Sequence, residues 1–198
     1  MDKIHLYIIG TDVVKKHLDE ILPLLPNSRR ERALGYIYEK DKLLSIGGSY
    51  LLKKYVGDKE LRENSEGKLY VDGGPFFNVS HSGDYTVLAT HQTREVGVDI
   101  ELIDQSKVRA IRYTLNEEEK KETNVETIFK MWSNKESLVK CISTGLSDIK
   151  NVQCTPLNGV RKVSDIDYYS WCDIYKGYSL SVTLKDKAPF KVIIQEVK

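Results

Sequence analysis

The chain has 198 residues, of which 40% are hydrophobic and 30% charged, with 13 Gly and 5 Pro, a balance that suits one large globular domain or two small ones packed together. Collagen-like, disordered and large multidomain classes are excluded. Thirty Lys plus Arg against 29 Asp plus Glu leave a formal charge of +1, so no global field gathers nucleic acid or anionic membrane, and any anion binding is local.

The run Ile4–Ile9 reads as a short strand, too short and too polar for an export signal. No stretch approaches the ~20 apolar residues that cross a bilayer. Thr11 or Asp12 can cap a helix carrying Val14, Leu18, Ile21, Leu22 and Leu25 at the helical period, closed by Pro23 and Pro26. Asn27-Ser28 offers a second cap before Arg29-Arg30-Glu31-Arg32. Helical patterning resumes through Leu43, Leu44, Tyr50, Leu51, Leu52 and Val56, weakened by Gly47-Gly48.

From Gly67 the period changes, and Lys68–Val71, Phe76–Val79, Tyr85–Thr90 and Val96–Leu102 read as strands of one compact antiparallel run. Asn116 caps Glu117-Glu118-Glu119, and a longer helix is predicted from Asn124 to about Ser143. After Gly145 the chain alternates again, with Tyr178, Leu180, Val182 and Leu184 separated by Ser179, Ser181 and Thr183, and Lys176-Gly177 as a hairpin turn. Helices then strands, twice over, predict an α+β fold of two similar halves, residues 1–95 and 96–198. The halves are packed rather than tethered, because no Pro/Gly/Ser-rich linker separates them. The spacings of Cys141, Cys154 and Cys172 match neither a metal pair nor a small disulfide scaffold, which fits reduced thiols in a cytoplasmic protein.

Three strings carry chemistry. In Val96-Gly97-Val98-Asp99-Ile100-Glu101 two carboxylates share one face of a strand, about 7 Å apart. Alone, that pattern more often describes acids facing water. In Trp132-Ser133-Asn134-Lys135-Glu136-Ser137-Leu138-Val139-Lys140 an aromatic, an acid and a base recur every four residues on one helix stripe, which in isolation also describes a Glu-to-Lys surface pair. A third acid beside Asp99 and Glu101 would suit Mg²⁺, whereas the scattered His and Cys residues exclude a zinc site. In Phe77-Asn78-Val79-Ser80-His81-Ser82-Gly83-Asp84 a strand ends in hydroxyls, an imidazole and a turn able to hold phosphate. Ser80 and His81 point to opposite faces of the strand, so they do not form a nucleophile–base pair.

Together, N-V-S-H-S, G-V-D-I-E and W-S-N-K-E-S-L-V-K, in this order, resemble the 4′-phosphopantetheinyl transferases of the surfactin-synthetase-activating type. The resemblance runs from the Arg29 region to Gly145. It implies halves related by pseudo-two-fold symmetry within a monomer, coenzyme A held between them, Mg²⁺ on its pyrophosphate, and transfer of phosphopantetheine to a serine of an apo acyl or peptidyl carrier protein. Carried over residue by residue, Asp99, Glu101 and Glu136 become metal ligands, with Glu136 also the candidate base and Lys140 the neutraliser of phosphate charge, assisted by Lys135. Arg29 and Arg32 fall where the family directs basic residues at the 3′-phosphate, while Ser45, Lys68, Ser80 and His81 fall around the nucleotide and its phosphates. Glu117 matches a position without an assigned role. Leu44 replaces a commonly basic residue, Gly47-Gly48 replaces bulkier ones, and the Gly145 segment lacks a further glycine. Two other readings are a coenzyme A-binding protein without turnover and a Mg²⁺-dependent nucleotide phosphohydrolase.

Overall fold

A computed structural model describes residues 1–144, 149 and 152–198. Strand β1 (Lys3–Gly10) leads into α1 (Thr11–Lys16), α2 (Leu18–Ile21), a 3₁₀ turn (Leu22–Leu24), α3 (Asn27–Leu34) and α4 (Glu39–Tyr55). The single helix predicted over residues 11–25 is broken at His17, whose backbone leaves the helical region, and Gly10 rather than Thr11 or Asp12 holds the cap position without a side-chain bond. Pro26 likewise replaces Asn27 at the start of α3. Gly47 and Gly48 do not interrupt α4. A Cβ on Gly47 would stand 3.1 Å from Ile9 Cγ2 and 3.3 Å from Val14 Cγ2, so the pair lets the helix lie close on the sheet.

The strands that follow are β2 (Arg62–Glu63), β3 (Leu69–Tyr70), β4 (Phe76–Ser82), β5 (Tyr85–His91) and β6 (Val96–Leu102). Helices α5 (Val108–Arg112) and α6 (Val125–Ile142) precede β7 (Gly159–Val163), β8 (Ile166–Tyr175), β9 (Tyr178–Leu184) and β10 (Lys191–Val197). Asn124 caps α6 by accepting from Thr127 N at 3.0 Å. Lys176 and Gly177 turn β8 into β9 with φ of 48° and 81°, the hairpin predicted there. The Gly145 segment lies outside the described residues.

Two four-stranded sheets result, ordered β10-β1-β5-β4 and β6-β9-β8-β7. The predicted run of neighbouring strands therefore ends at β5. Both edges of β5 are taken by β1 and β4, so β6 starts the second sheet against β9, with Asp99 opposite Ser181 and Glu101 opposite Ser179. Each sheet contains strand, helix and hairpin in that order, with the last strand between the other two: β1, α4, β4 and β5 in one, β6, α6, β8 and β9 in the other. One crossing joins them, since β10 returns to pair in parallel with β1.

Ile4, Leu6, Ile8, Val87 and Ala89 of the first sheet pack on Val96, Val98, Ile100, Leu180 and Val182 of the second. Helix α4 covers the far face of the first sheet. Helix α6 covers that of the second, meeting β9 through hydroxyls and Tyr168 of β8 through Leu138 and Cys141. Ser133 meets Ser179 at 2.6 Å and Ser137 meets Thr183 at 2.9 Å, all fully buried. The residues between Tyr178 and Leu184 that alternate as polar are thus interior, not solvent-facing. No helix among the described residues is long and apolar enough to cross a membrane.

Candidate active site

Alternation sends Asp99 and Glu101 away from the sheet-to-sheet core and toward α6. A side chain on Gly97 would overlap the Ser137 carbonyl and the Cys141 amide, so this glycine is what allows α6 to lie directly against β6. Its role was not drawn from the sequence, although the G-V-D-I-E string contains it.

The helix stripe Trp132, Glu136, Lys140 then lies along the strand stripe. Trp132 Nε1 approaches Glu101 Oε1 at 3.5 Å, and Lys140 Nζ donates to Asp99 Oδ1 at 2.6 Å. Lys140 also donates to Ser80 Oγ at 3.2 Å, and Ser80 donates to Asp99 Oδ1 at 2.9 Å. The Lys140–Glu136 separation is longer, 3.9 Å, so the lysine's principal partner is on the strand, not on its own helix. Glu101 accepts from Ser82 Oγ at 2.9 Å.

These carboxylates are crowded and poorly solvated. Burial, reinforced by the Glu101 charge and opposed by Lys140, pushes Asp99 up to about 6. Burial, opposed by Lys140 and reinforced by Asp99 and Glu101, pushes Glu136 up to about 7. Burial alone would lower Lys140, but its contacts with Asp99 and Glu136 outweigh that and raise it. Asp99 Oδ2 is buried without a hydrogen-bond partner. Among the described residues no three His, Cys, Asp or Glu side chains are drawn together as a finished cation cage. The donors available are nonetheless all carboxylate oxygens, the set a hard divalent cation takes, and one of them is buried with its bonding capacity unused.

Glu136 and Lys140 border a hollow of about 280 Å³ together with Lys68, which donates to Glu95 Oε2 at 2.6 Å. Through Gly67 and Val79 the hollow adjoins a cleft of about 350 Å³ lined by Arg29, Arg32, Ser45 and His81. Strand β4 serves both spaces, because Ser80 points to the carboxylates while His81 points to the arginines. Burial and the Arg32 charge hold Arg29 below its ordinary value, offset in part by Glu63. Glu63 and Asp41 also line this cleft and were not anticipated from the sequence. Leu44 lines it too, supplying no charge.

Lys135 does not join the group, which corrects the expectation that it assists with coenzyme A. One residue before Glu136, it is turned about 100° around the helix and is fully buried. Its Nζ lies 2.7 Å from Glu119 Oε2 and donates to Thr114 O at 3.1 Å. Glu119 is its structural partner, and it also closes a capping box with Asn116, the two side chains accepting reciprocally at 2.9 Å. Glu117 is exposed and paired with Lys120.

Residues 95–183, which include both stripes, match the family model of the 4′-phosphopantetheinyl transferase superfamily. Over that segment the chain is similar to this superfamily. Among curated members of the superfamily, it is 27% identical over 157 residues to the 4′-phosphopantetheinyl transferase gsp of Aneurinibacillus migulanus, covering 71% of this chain and 66% of that one. It is 29% identical over 147 residues to the L-aminoadipate-semialdehyde dehydrogenase-phosphopantetheinyl transferase of Xenopus laevis, covering 59% and 49%. Similarity to the 4′-phosphopantetheinyl transferase HetI of Nostoc sp. is 22% over 174 residues, covering 77% and 73%. The chain thus spans from about half to three quarters of these relatives, and 66% of the first.

Proposed function

We propose that this chain transfers the 4′-phosphopantetheine group of coenzyme A to a serine of an apo acyl or peptidyl carrier protein. The serine Oγ forms a bond to the β-phosphorus, the bond from that phosphorus to the bridging oxygen breaks, and adenosine 3′,5′-bisphosphate leaves with the electron pair. The observation that carries this reading is the convergence of Asp99, Glu136 and Lys140 from one half with Ser80 from the other, beside a cleft that continues to Arg29 and Arg32.

Asp99, Glu101 and Glu136 would hold Mg²⁺, which when bound neutralises pyrophosphate charge. Glu136 is also the candidate base for the serine proton, a duty that competes with holding the cation, because a metal-bound carboxylate is a weaker base. Lys140 supplies positive charge to the phosphoryl group as negative charge moves toward the leaving bisphosphate. Arg29 and Arg32 bind the 3′-phosphate, with Ser45 and His81 at the nucleotide and Lys68 and Ser80 at the pyrophosphate end. In this reading residues 1–95 and 96–198 form one pseudo-dimeric monomer that needs no second copy. Three cysteines that are buried and unpaired support a reducing, cytoplasmic setting.

The test is incubation with coenzyme A and Mg²⁺, with and without apo-carrier, followed by mass detection. A transferase releases bisphosphate only with carrier and adds phosphopantetheine to it. Release without carrier would make the chain a phosphohydrolase, and binding without release a non-catalytic coenzyme A protein.

A further inference from the structure

The two sheets meet where edge strand β4 passes edge strand β6, and β4 meets β6 there through side chains. Among the described residues strand β6 pairs with β9 on one side only, leaving N–H groups on the other edge without a strand partner. Asn78 Oδ1 accepts from Val98 N at 3.0 Å, and Ser82 Oγ accepts from Leu102 N at 3.1 Å. Ser80 and Ser82 donate to Asp99 and Glu101, each at 2.9 Å. Residues 78, 80 and 82 share one face of β4, so a stripe from one half fixes the register of the strand that carries two carboxylates of the other.

We infer that Ser82 is a positioning residue for Glu101, locking its carboxylate toward the divalent cation and making metal affinity depend on how the halves dock. The inference rests on the functional reading above. A hydroxyl has one proton to donate. With its oxygen already accepting from Leu102 N–H, Ser82 has its proton free for Glu101 Oε2, so backbone edge and carboxylate are held by a single atom. Glu101 needs such an anchor more than Asp99 does. It is half-buried, and among the described residues its second oxygen meets only the distant Trp132 Nε1 at 3.5 Å and no lysine pairs with it. Hydrogen-bond partners behind metal ligands typically change metal affinity about 10- to 100-fold when removed.

The experiment titrates Mn²⁺, read by its paramagnetic resonance signal, into the full chain with coenzyme A and no carrier. The variants are Ser82→Ala and Ser82→Thr, and melting in EDTA is recorded for each. Ser82→Ala is expected to weaken Mn²⁺ by at least about tenfold, and Ser82→Thr, which keeps the hydroxyl, to restore most of it. A role confined to capping the β6 edge would lower melting in EDTA for Ser82→Ala and leave Mn²⁺ affinity at the wild-type value, which overturns the inference. Failure of Ser82→Thr to restore affinity also overturns it. Wild-type protein that takes up no Mn²⁺ with coenzyme A overturns this inference and the metal reading together, which distinguishes the two failures.

Discussion

Replacing Glu136 with Gln keeps its shape while removing a charge the fold disfavours. Its carboxyl is pushed up to about 7 from an ordinary 4.5, and at about 1.4 kcal/mol per pH unit the gap corresponds to about 3 kcal/mol between protonated and ionised forms. Because the folded-state pKa is raised, the associated stability is fully present below pH about 4.5 and is lost as pH rises through about 7. Glutamine carries no such dependence. In EDTA at pH 8 the variant should therefore be more stable than the wild type, by about 1–3 kcal/mol once the loss of the Lys140 contact at 3.9 Å is set against it. In a chain of this length that is a rise in Tm of several degrees, roughly 2–4 °C per kcal/mol. At pH 5 the offset should fall below about 1 kcal/mol. The same variant should lose at least ~10²-fold in turnover with saturating apo-carrier, the lower range for removing a general base. Thermal melts at pH 5, 6, 7 and 8 with parallel kinetics decide it. An offset that does not grow with pH, or a variant less stable at pH 8, would refute the account of Glu136 as a carboxylate held against its solvation preference.

Exchanging Arg29 and Arg32 together for Gln should weaken coenzyme A at least about tenfold more than 3′-dephospho-coenzyme A, measured by calorimetry, since charge-assisted contacts contribute roughly 1.5–3 kcal/mol each. Equal weakening of both ligands would return the arginines to a solvated helix face. Lys135→Met should cost about 3–5 kcal/mol in chemical unfolding, because it leaves Glu119 buried and unpaired, while coenzyme A affinity of the remaining folded protein is unchanged. Gly97→Ala should push α6 off β6, lowering stability by about 3 kcal/mol and weakening Mn²⁺ as well, whereas a change in stability alone would place the metal ligands elsewhere.

Much of the site was legible because the spacing of residues along a regular element is a local property. Asp99 and Glu101 two apart on a strand, and Trp132, Glu136 and Lys140 four apart on a helix, must share a face whatever surrounds them. The Asn124 cap and the Lys176-Gly177 turn are local for the same reason. The opposed directions of Ser80 and His81 also follow from alternation, and they divide β4 between the two spaces it lines.

Which faces meet is decided by the tertiary structure, since that depends on residues far apart in the chain competing for one surface. Nothing near Val96 tells that β6 abandons β5 for β9, a choice made by β1 occupying the other edge of β5. Alternation sets Ser179, Ser181 and Thr183 on one face, and it is a helix with its own serines laid on them that makes that face interior. Lys135 reads as one more cation beside Glu136 until Glu119, 16 positions upstream, claims it in the interior. The sequence by itself determined the chemistry available on each strand and helix face. The packing of two sheets and the close approach permitted at Gly97 determined which of those faces became a site, because burial and charge pairing act through space and not along the chain.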